Sequence, residues 1–299
     1  MNVLGEEQNF LAIEEKYSSF ENSEIAILSA PYEHTVSYGG GTQLGPQGIL
    51  DASAYVEFFD DELLRELCFE KGITSIEPLD FNGKIDKEAL DLIENNVKIL
   101  INSGKFVVTL GGEHTISTAP IKAHFDSYPD MTLLHFDAHS DLRDTYEGSK
   151  YSHASFMRRV MEFFPAEKLV QVGIRAQCKE EYEYIKENKI NTFYANAIRR
   201  GMHEDRWQKK IADSLGDQIY ITFDVDYFDP SIMPSTGTPE PDGFLYSETL
   251  DIFREIIKQG KQIIGFDVVE LAPVEGLSHP DITTARLIYK ILNFSFSNK

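Results

Sequence analysis

The sequence of 299 residues has few cysteines, few basic side chains and no long apolar run. Its two cysteines, Cys68 and Cys178, are far apart and have no metal-type partner nearby, which argues against a disulfide framework or a zinc finger. No stretch approaches the roughly 18 to 20 continuous apolar residues of a membrane span. The N-terminal segment is acidic and lacks the pattern of a signal peptide. We therefore expect a cytoplasmic protein with reduced thiols and no membrane partner.

Basic residues are scarce relative to acidic ones, with 28 Lys and Arg against 49 Asp and Glu and a net charge of −21. Such a charge repels phosphate backbones, so nucleic acid is not an expected partner. An acidic field also attracts a cationic substrate, although acidic proteins of many functions share this balance. The charge therefore excludes one class of partner more firmly than it identifies another.

The chain does contain short apolar runs that alternate with longer segments of helical period. Candidate strands are 24–30, 105–111, 131–137, 168–174, 191–195, 218–224 and 261–269. Candidate helices lie near 46–57, 86–103, 115–127, 178–189, 203–215, 247–259 and 282–293. This alternation is typical of βαβ units, and nearly continuous apolar strands indicate a sheet covered on both faces. We predict a three-layer α/β/α fold with a central, mostly parallel sheet, and one domain over residues 1–299.

Ionisable residues cluster where several of the predicted strands end. They are His114 after one strand, Asp137, His139 and Asp141 after the next, Asp224 and Asp226 after a third, and Glu270 after the last. Ligands of an open parallel sheet bind outside the carboxyl ends of its strands, and side chains at alternate positions point the same way, so we expect these groups to converge. Four crowded aspartates resist ionisation unless positive charge joins them.

Two divalent cations would balance the four carboxylates, and two neutral imidazoles would complete the ligand set. Oxygen-dominated ligands without a thiolate fit Mn²⁺ better than a structural zinc, without excluding iron, cobalt, nickel or catalytic zinc. Taken singly, His114 could be a turn residue, and Asp224 and Asp226 could belong to a turn before Pro230. The "DAHSD" cluster has no such plain interpretation, because desolvating three ionisable groups at the end of an apolar strand is costly.

The motifs "GGEHT", "FDAHSD" and "TFDVDYFDPS", in this order, resemble the ureohydrolase family that includes arginases and agmatinases. The resemblance runs from "VSYGGGTQLGPQGI" to "GFDVVELAP" and "DITTARL". It implies an arginase-like fold, two Mn²⁺ ions per subunit and a homo-oligomer, either a trimer or a hexamer. By position, it implies that His114, Asp137, Asp141 and Asp224 hold one ion and that Asp137, His139, Asp224 and Asp226 hold the other.

The same resemblance implies roles in catalysis. Two ions bridged by carboxylates would supply a hydroxide that attacks the guanidino carbon, and Asp141 would orient it by accepting its hydrogen bond. Glu270 in "DVVELAP" matches the family glutamate that pairs with the guanidinium, and His153 in "SKYSHASFMRR" matches the proton shuttle. Glu113 and Asp267 lie next to the site motifs and are expected to support the ligands rather than to bind metal.

The substrate prediction depends on the loop "LRDTYEGSKYSH", which departs from the arginase pattern and resembles that of bacterial agmatinases, as does "MPSTGTPEPDGF". We therefore expect agmatine, cleaved to putrescine and urea in polyamine biosynthesis, with Asp144 and Glu147 as partners of its far amine. Arg143 would instead suit a substrate carboxylate, unless Asp144 or Glu147 neutralises it in a salt bridge. The alternatives are guanidinobutyrate, guanidinopropionate or arginine as substrate, a single-metal deacetylase-like amidohydrolase, and a non-catalytic binding subunit.

Overall fold

A computed structural model describes residues 1–203 and 206–297, and one sheet lies at its centre. The strands are β1 Ile25–Ala30, β2 Ile73–Ile76, β3 Phe106–Gly111, β4 Thr132–Phe136, β5 Leu169–Val172, β6 Asn191–Phe193, β7 Gln218–Asp224 and β8 Gln262–Val269. Their order in the sheet is β2-β1-β3-β8-β7-β4-β5-β6, and every pair of neighbours is parallel. The sheet predicted as mostly parallel is therefore fully parallel over the described residues.

Helices connect the strands and cover both faces of the sheet. They are α1 Glu15–Ser18, α2 Gly45–Ser53, α3 Leu67–Lys71, α4 Asp86–Asn102, α5 Thr118–Ser127, α6 Phe156–Val160, α7 Lys179–Asn188, α8 Ala195–Arg199, α9 Trp207–Asp213, α10 Tyr246–Lys258 and α11 His279–Ser295. Among the described residues, no helix combines the length and the apolar character that crossing a membrane requires.

Alternate residues of each strand pack into opposite layers of the core. On β1, Ile25 and Ile27 join the larger apolar cluster with α2, α3 and α8 to α11, whereas Ala26 and Leu28 face α4 and the start of α5. The rest of that second face is completed by α5, α6 and α7 over β4. Because side chains of a strand point alternately up and down, apolar residues at successive positions require cover on both sides. The three-layer prediction is confirmed.

Two differences from the sequence prediction concern short elements. Strand β2 was not predicted, because it has four residues, two of them Thr74 and Ser75, and lies at the edge of the sheet. The helix predicted near 203–215 is observed as α9, and its predicted start includes Glu204 and Asp205, which lie outside the described residues. Helices α1, α3, α6 and α8 have four or five residues, too few for a clear helical period.

The order of the sheet places four functional strand ends side by side. Strands β3, β8, β7 and β4 are consecutive neighbours, and all four run in the same direction. Their carboxyl ends therefore lie along one edge of the sheet. His114 follows β3, Asp137 follows β4, Asp224 ends β7, and Glu270 follows β8, which brings together segments more than a hundred residues apart in sequence.

Candidate metal centre and active site

Three carboxylates surround one nitrogen of a buried histidine. His114 Nδ1 lies 3.1 Å from Asp137 Oδ2, 3.4 Å from Asp141 Oδ2 and 3.1 Å from Asp224 Oδ2. Each of these side chains is nearly inaccessible to solvent. The structure thus brings together the four residues that the sequence assigned to one metal ion.

The second predicted group lies beside the first and shares Asp137 and Asp224 with it. His139 Nδ1 is 2.9 Å from Asp226 Oδ2 and 3.6 Å from Asp137 Oδ1. Backbone N–H groups hold the carboxylates in place: Ala138 donates to Asp226 Oδ1, and the Asp226 N–H donates to Asp224 Oδ1. Two sets of ligand-type atoms lie within 4.8 Å of one another, close enough to hold a cation: those of His114, His135, Asp137 and Asp141, and those of Asp137, His139 and Asp226.

The hydrogen bonds of His114 test whether these residues fit a metal ion. Thr222 Oγ1 donates to Asp267 Oδ1 at 2.7 Å, so it accepts from His114 Nε2 at 3.0 Å. The neutral ring then presents the lone pair of Nδ1 to three carboxylates, and this nitrogen has no hydrogen-bond partner among the described residues. Lone pairs and carboxylates repel one another unless a cation lies between them, so the donor set fits a divalent metal ion.

The electrostatics of the cluster also call for positive charge. Burial opposes a charge on His114, yet without a metal ion the nearby carboxylates of Asp137, Asp141 and Asp224 raise the pKa of this histidine well above its ordinary value, so that a proton on Nδ1 would take the place of the cation. Burial and the neighbouring Asp226 and Asp137 raise the pKa of Asp224 well above its ordinary value. Burial and Asp137 likewise raise the pKa of Asp141 to about 6. Excess negative charge of this kind is relieved by a bound cation.

His135 contributes a contact that the sequence reasoning missed. It lies within an apolar strand and is buried, but its Nε2 also lies 2.7 Å from Asp137 Oδ2. Gln171 Nε2 donates to the Ser140 carbonyl and points at His135 Nδ1 from 3.1 Å, so Nδ1 accepts and Nε2–H donates to Asp137. The alternating positions of His135 and Asp137 on one strand were the available signal.

Glu270 and Asp141 reach the site from a backbone conformation that is rare outside glycine. Their φ angles are +66° and +52°, in the left-handed region. Glu270 is held by its N–H, which donates to the Gly112 carbonyl at 2.9 Å, while its Oε1 accepts the His114 N–H at 2.6 Å. Strained backbone persists where the surroundings fix it, and it concentrates at functional sites. Burial raises the pKa of Glu270 to about 8, against an opposing effect of His114.

A cavity of about 280 Å³ opens above these residues. Besides members of the carboxylate cluster, it is lined by Ser37, Arg143, Tyr146, His153, Gln177, Glu181, Glu240 and Glu270. The site histidine His153 and the predicted guanidinium partner Glu270 therefore face the same space. Glu181 and Glu240 were not singled out from the sequence, because nothing near them forms a motif and only the fold brings them to the cavity.

The residues predicted to contact the substrate's far end lie elsewhere. Asp144 Oδ1 is 2.9 Å from Arg159 Nη2, its side chain is 75% exposed, and Glu147 is exposed in a turn. Neither is among the residues that line the cavity. The salt bridge predicted for Arg143 with one of these two acids is wrong: Arg143 Nε lies 3.8 Å from Glu181 Oε2 instead.

The motifs and the fold are those of a known class of hydrolase. The sequence model of the Arginase family matches residues 23–293, and the chain belongs to this family. It is an agmatinase-type ureohydrolase, a hydrolase of linear amidine C–N bonds.

The similar proteins include ureohydrolases of two names. The chain is 37% identical over 287 residues to an N(1)-aminopropylagmatine ureohydrolase of Synechocystis sp., covering 94% of this chain and 92% of the relative. It is 37% identical over 272 residues to an agmatinase of Bacillus anthracis, with 89% of each chain covered. The solved agmatine ureohydrolase of Thermoplasma volcanium superimposes with a TM-score of 0.84 at 24% identity, over 97% of this chain and 94% of the other, a likeness of fold.

Proposed function

We propose that this chain hydrolyses the terminal guanidino group of agmatine to putrescine and urea, using two Mn²⁺ ions. The observation that carries the proposal is His114 Nδ1, which has its lone pair directed at three carboxylate oxygens within 3.4 Å. That arrangement, open to a cavity that also contains His153 and Glu270, supports hydrolysis rather than a structural role.

His114, Asp137, Asp141 and Asp224 would hold one ion, and Asp137, His139, Asp224 and Asp226 the other. Two divalent ions supply Lewis acidity and lower the pKa of water, so that a nucleophile is available near neutral pH. The full set of six predicted residues argues against a single-metal deacetylase-like site. Oxygen donors dominate the set and no thiolate lies in it, which favours Mn²⁺.

Glu270 would receive the guanidinium. A carboxylate is the natural bidentate partner of this planar cation, and an arriving cation favours the charged form of a carboxylate whose pKa burial has raised to about 8. Asp141, next to His114, would orient the nucleophile by accepting a hydrogen bond. His153 lines the same cavity and would carry a proton to the amine as the C–N bond breaks.

A second candidate substrate is N(1)-aminopropylagmatine, which has a longer cationic end. Two carboxylates, Glu181 and Glu240, line the cavity together with one cation, Arg143, whose Nε lies 3.8 Å from Glu181 Oε2. This arrangement favours a substrate with amines at its far end over a guanidino acid. We infer that Glu240 is a stronger candidate for this contact than Asp144 and Glu147, which stay a prediction from the sequence. Glu181 is buried, and its two oxygens already accept the N–H groups of Leu142 and Cys178.

The test is urea release by purified protein loaded with Mn²⁺. Agmatine, N(1)-aminopropylagmatine, arginine, guanidinobutyrate and guanidinopropionate are offered separately, and kcat/KM is compared. We expect agmatine or its aminopropyl derivative to exceed the guanidino acids by at least about tenfold, as a buried charge mismatch costs more than about 1.4 kcal/mol. A preferred guanidino acid would overturn the substrate proposal, and no urea from any of them would overturn the function.

Paired variants separate the two sets of acids. Glu240→Gln is expected to raise KM for the amine substrates several-fold, by about 1 kcal/mol of lost attraction. Asp144→Asn is the matched control, because Asp144 is paired with Arg159 outside the cavity, and its KM should stay within about twofold of the wild type. The reverse pattern would return the role to the 144–147 loop. A single domain over residues 1–299, the trimeric or hexameric assembly and the cytoplasmic location stay predictions.

A further inference from the structure

The loop between β1 and α2 contacts the candidate proton carrier. Thr35 Oγ1 lies 3.1 Å from the backbone nitrogen of His153, 3.3 Å from its Nδ1 and 2.9 Å from Glu113 Oε1. Glu113 is 1% exposed, and its Oε2 accepts the N–H groups of His34 at 2.7 Å and Thr35 at 2.6 Å. A Cβ on Gly112 would lie 2.1 Å from the Tyr32 carbonyl oxygen, so this close approach of loop and strand end requires glycine.

The direction of these hydrogen bonds follows from the atoms available. A threonine hydroxyl has one hydrogen to donate, and a carboxylate only accepts, so the Thr35 hydrogen goes to Glu113. The two lone pairs of Thr35 Oγ1 then accept from the N–H of His153 and from its Nδ1–H. The lone pair of the neutral ring is left on Nε2, where Ser37 Oγ approaches to 3.3 Å and can donate.

The neutral form of His153 makes this choice of tautomer matter. Burial lowers the pKa of His153 below its ordinary value, against an opposing effect of Glu113. The ring is therefore neutral near pH 7, and only one of its nitrogens can accept a proton. The ring can take up a proton in the cavity only if the nitrogen that has the lone pair is the one accessible there.

We propose that Glu113, acting through Thr35, is a positioning residue that holds His153 in the Nδ1–H tautomer, so that the lone pair lies on Nε2, next to Ser37 in the lining of the cavity, and can accept a proton. The inference rests on the proposed function, in which His153 carries a proton. Nε2 takes up one proton from the nucleophilic water as the C–O bond forms. It gives one proton to the amine nitrogen as the C–N bond breaks, so the ring ends each turnover as it began.

Glu113→Gln is expected to reverse the direction of these hydrogen bonds while keeping the side chain almost the same shape. The amide oxygen must occupy the place of Oε2, because two backbone N–H groups point there, so the amide NH₂ faces Thr35 and donates to it. The Thr35 hydrogen then turns to His153 Nδ1, and the ring takes the Nε2–H tautomer. We expect kcat to fall at least about 100-fold, the lower end of what a general acid or base contributes, with KM within about twofold.

Glu33 offers a matched control in the same loop. Its Oε2 accepts from Gly41 N, Thr42 Oγ1 and Gln43 N, but the structure gives it no bond to His153. Glu33→Gln removes the same charge and should keep kcat within about twofold. Thr35→Val should resemble Glu113→Gln, and Thr35→Ser, which keeps the hydroxyl, should restore kcat. The metal content of each variant is measured, and a loss of metal in Glu113→Gln equal to its loss of kcat would overturn the proposal.

Neutron diffraction from crystals of the deuterated, Mn²⁺-loaded protein reads the tautomer directly. We expect deuterium on His153 Nδ1 in the wild type and on Nε2 in Glu113→Gln. Deuterium on Nε2 in the wild type, or unchanged kcat in Glu113→Gln, would overturn the inference while leaving the proposed function intact. A wild type that releases no urea would overturn the proposed function, and the deuterium positions would still decide the inference.

Discussion

The molecule contains two hydrogen-bond chains, each running from a histidine through a threonine to a carboxylate. They differ in where the threonine lies. In the first, His114 Nε2 contacts Thr222 on β7, which donates to Asp267 on β8. In the second, His153 Nδ1 contacts Thr35 in the loop after β1, which donates to Glu113. The first chain is fully buried, and the second opens into the cavity.

In the two hydrogen-bond chains, the threonine binds opposite nitrogens of the imidazole ring. The strand-borne chain uses Nε2 of His114 and directs Nδ1 at the carboxylate cluster, as a metal ligand requires. The loop-borne chain uses Nδ1 of His153 and leaves the lone pair on Nε2, next to Ser37 in the lining of the cavity, as a proton carrier requires. A metal ligand must stay fixed, and the position between neighbouring strands is rigid. A proton carrier must reach the substrate, and the position beside the loop is accessible from the cavity.

Removing the imidazole of the strand-borne chain should have the largest effect. His114→Ala leaves three carboxylates without a ligand nitrogen, and we expect metal content below two ions per chain and kcat/KM at least about 1,000-fold lower, since Lewis-acid stabilisation amounts to several kcal/mol. Metal analysis by mass spectrometry and urea release measure both. A variant that retains two ions and wild-type turnover would contradict the assignment of His114.

Removing the imidazole of the loop-borne chain should separate chemistry from metal binding. His153→Ala is expected to lower kcat about 100-fold to 1,000-fold, the usual contribution of a general acid or base, while the metal content stays at the wild-type value. The same two measurements apply. If this variant lost metal as His114→Ala does, His153 would belong to the ligand set and the contrast between the chains would fail.

The sequence predicted which side chains meet at the strand ends better than it predicted the contacts of the loop after β1. Asp137, His139 and Asp224 follow apolar strands, and a parallel sheet brings such ends to one edge, so local pattern and topology together were sufficient. Thr35 lies in a loop with no periodic pattern, and its contact with His153 spans 118 positions of the chain. Only the packed fold, with Gly112 against the loop backbone, brings those two together.

The same limit explains the remaining differences. Strand β2 is short and half polar, so no hydrophobic pattern in the sequence predicts it. Glu181 and Glu240 reach the cavity from the third residue of α7 and from a long loop, and neither position belongs to a motif. Asp144 had seemed a substrate contact because its loop resembles agmatinases, but it pairs with Arg159 on α6, and no local rule predicts that choice of partner.

The two threonines should have effects of different kinds. Thr222→Val keeps the shape but removes the hydroxyl that orients His114, and we expect metal affinity about 10-fold to 100-fold weaker, as for other residues that orient a ligand. Thr35→Val should leave metal affinity within about twofold of the wild type. Competition with a chelator measures the affinity. Thr109→Val on β3 is the control, because the Thr109 hydroxyl is buried without a hydrogen-bond partner among the described residues.

Equal metal affinity in Thr222→Val and Thr109→Val would show that the strand-borne hydroxyl does not orient His114. Weaker affinity in Thr35→Val would merge the two chains into one support for the metal ions. Either result would remove the division of roles between the strands and the loop.

A third buried histidine has no such chain and should show the smallest effect, in stability alone. His124 on α5 donates through Nδ1 to the Pro120 carbonyl at 2.8 Å, its Nε2 has no hydrogen-bond partner among the described residues, and its ring packs on Tyr220. Burial lowers the pKa of His124 to about 4, against 6.5 in its ordinary state. The unfolded chain therefore binds a proton in this pH range that the folded chain does not, and the free energy of unfolding falls as pH drops from 6.5 toward 4.

Between pH 7 and pH 5 this linkage should cost the wild type about 2 kcal/mol that His124→Gln does not lose. Urea unfolding of both proteins at the two pH values measures it, with chelator present throughout, so that protonation of the carboxylate cluster contributes equally to both. Parallel losses of stability would mean that His124 is charged in the folded protein. In that case burial alone would not keep a histidine neutral. The threonine and carboxylate of each hydrogen-bond chain would then serve mainly to keep its histidine uncharged, and only secondarily to fix its tautomer.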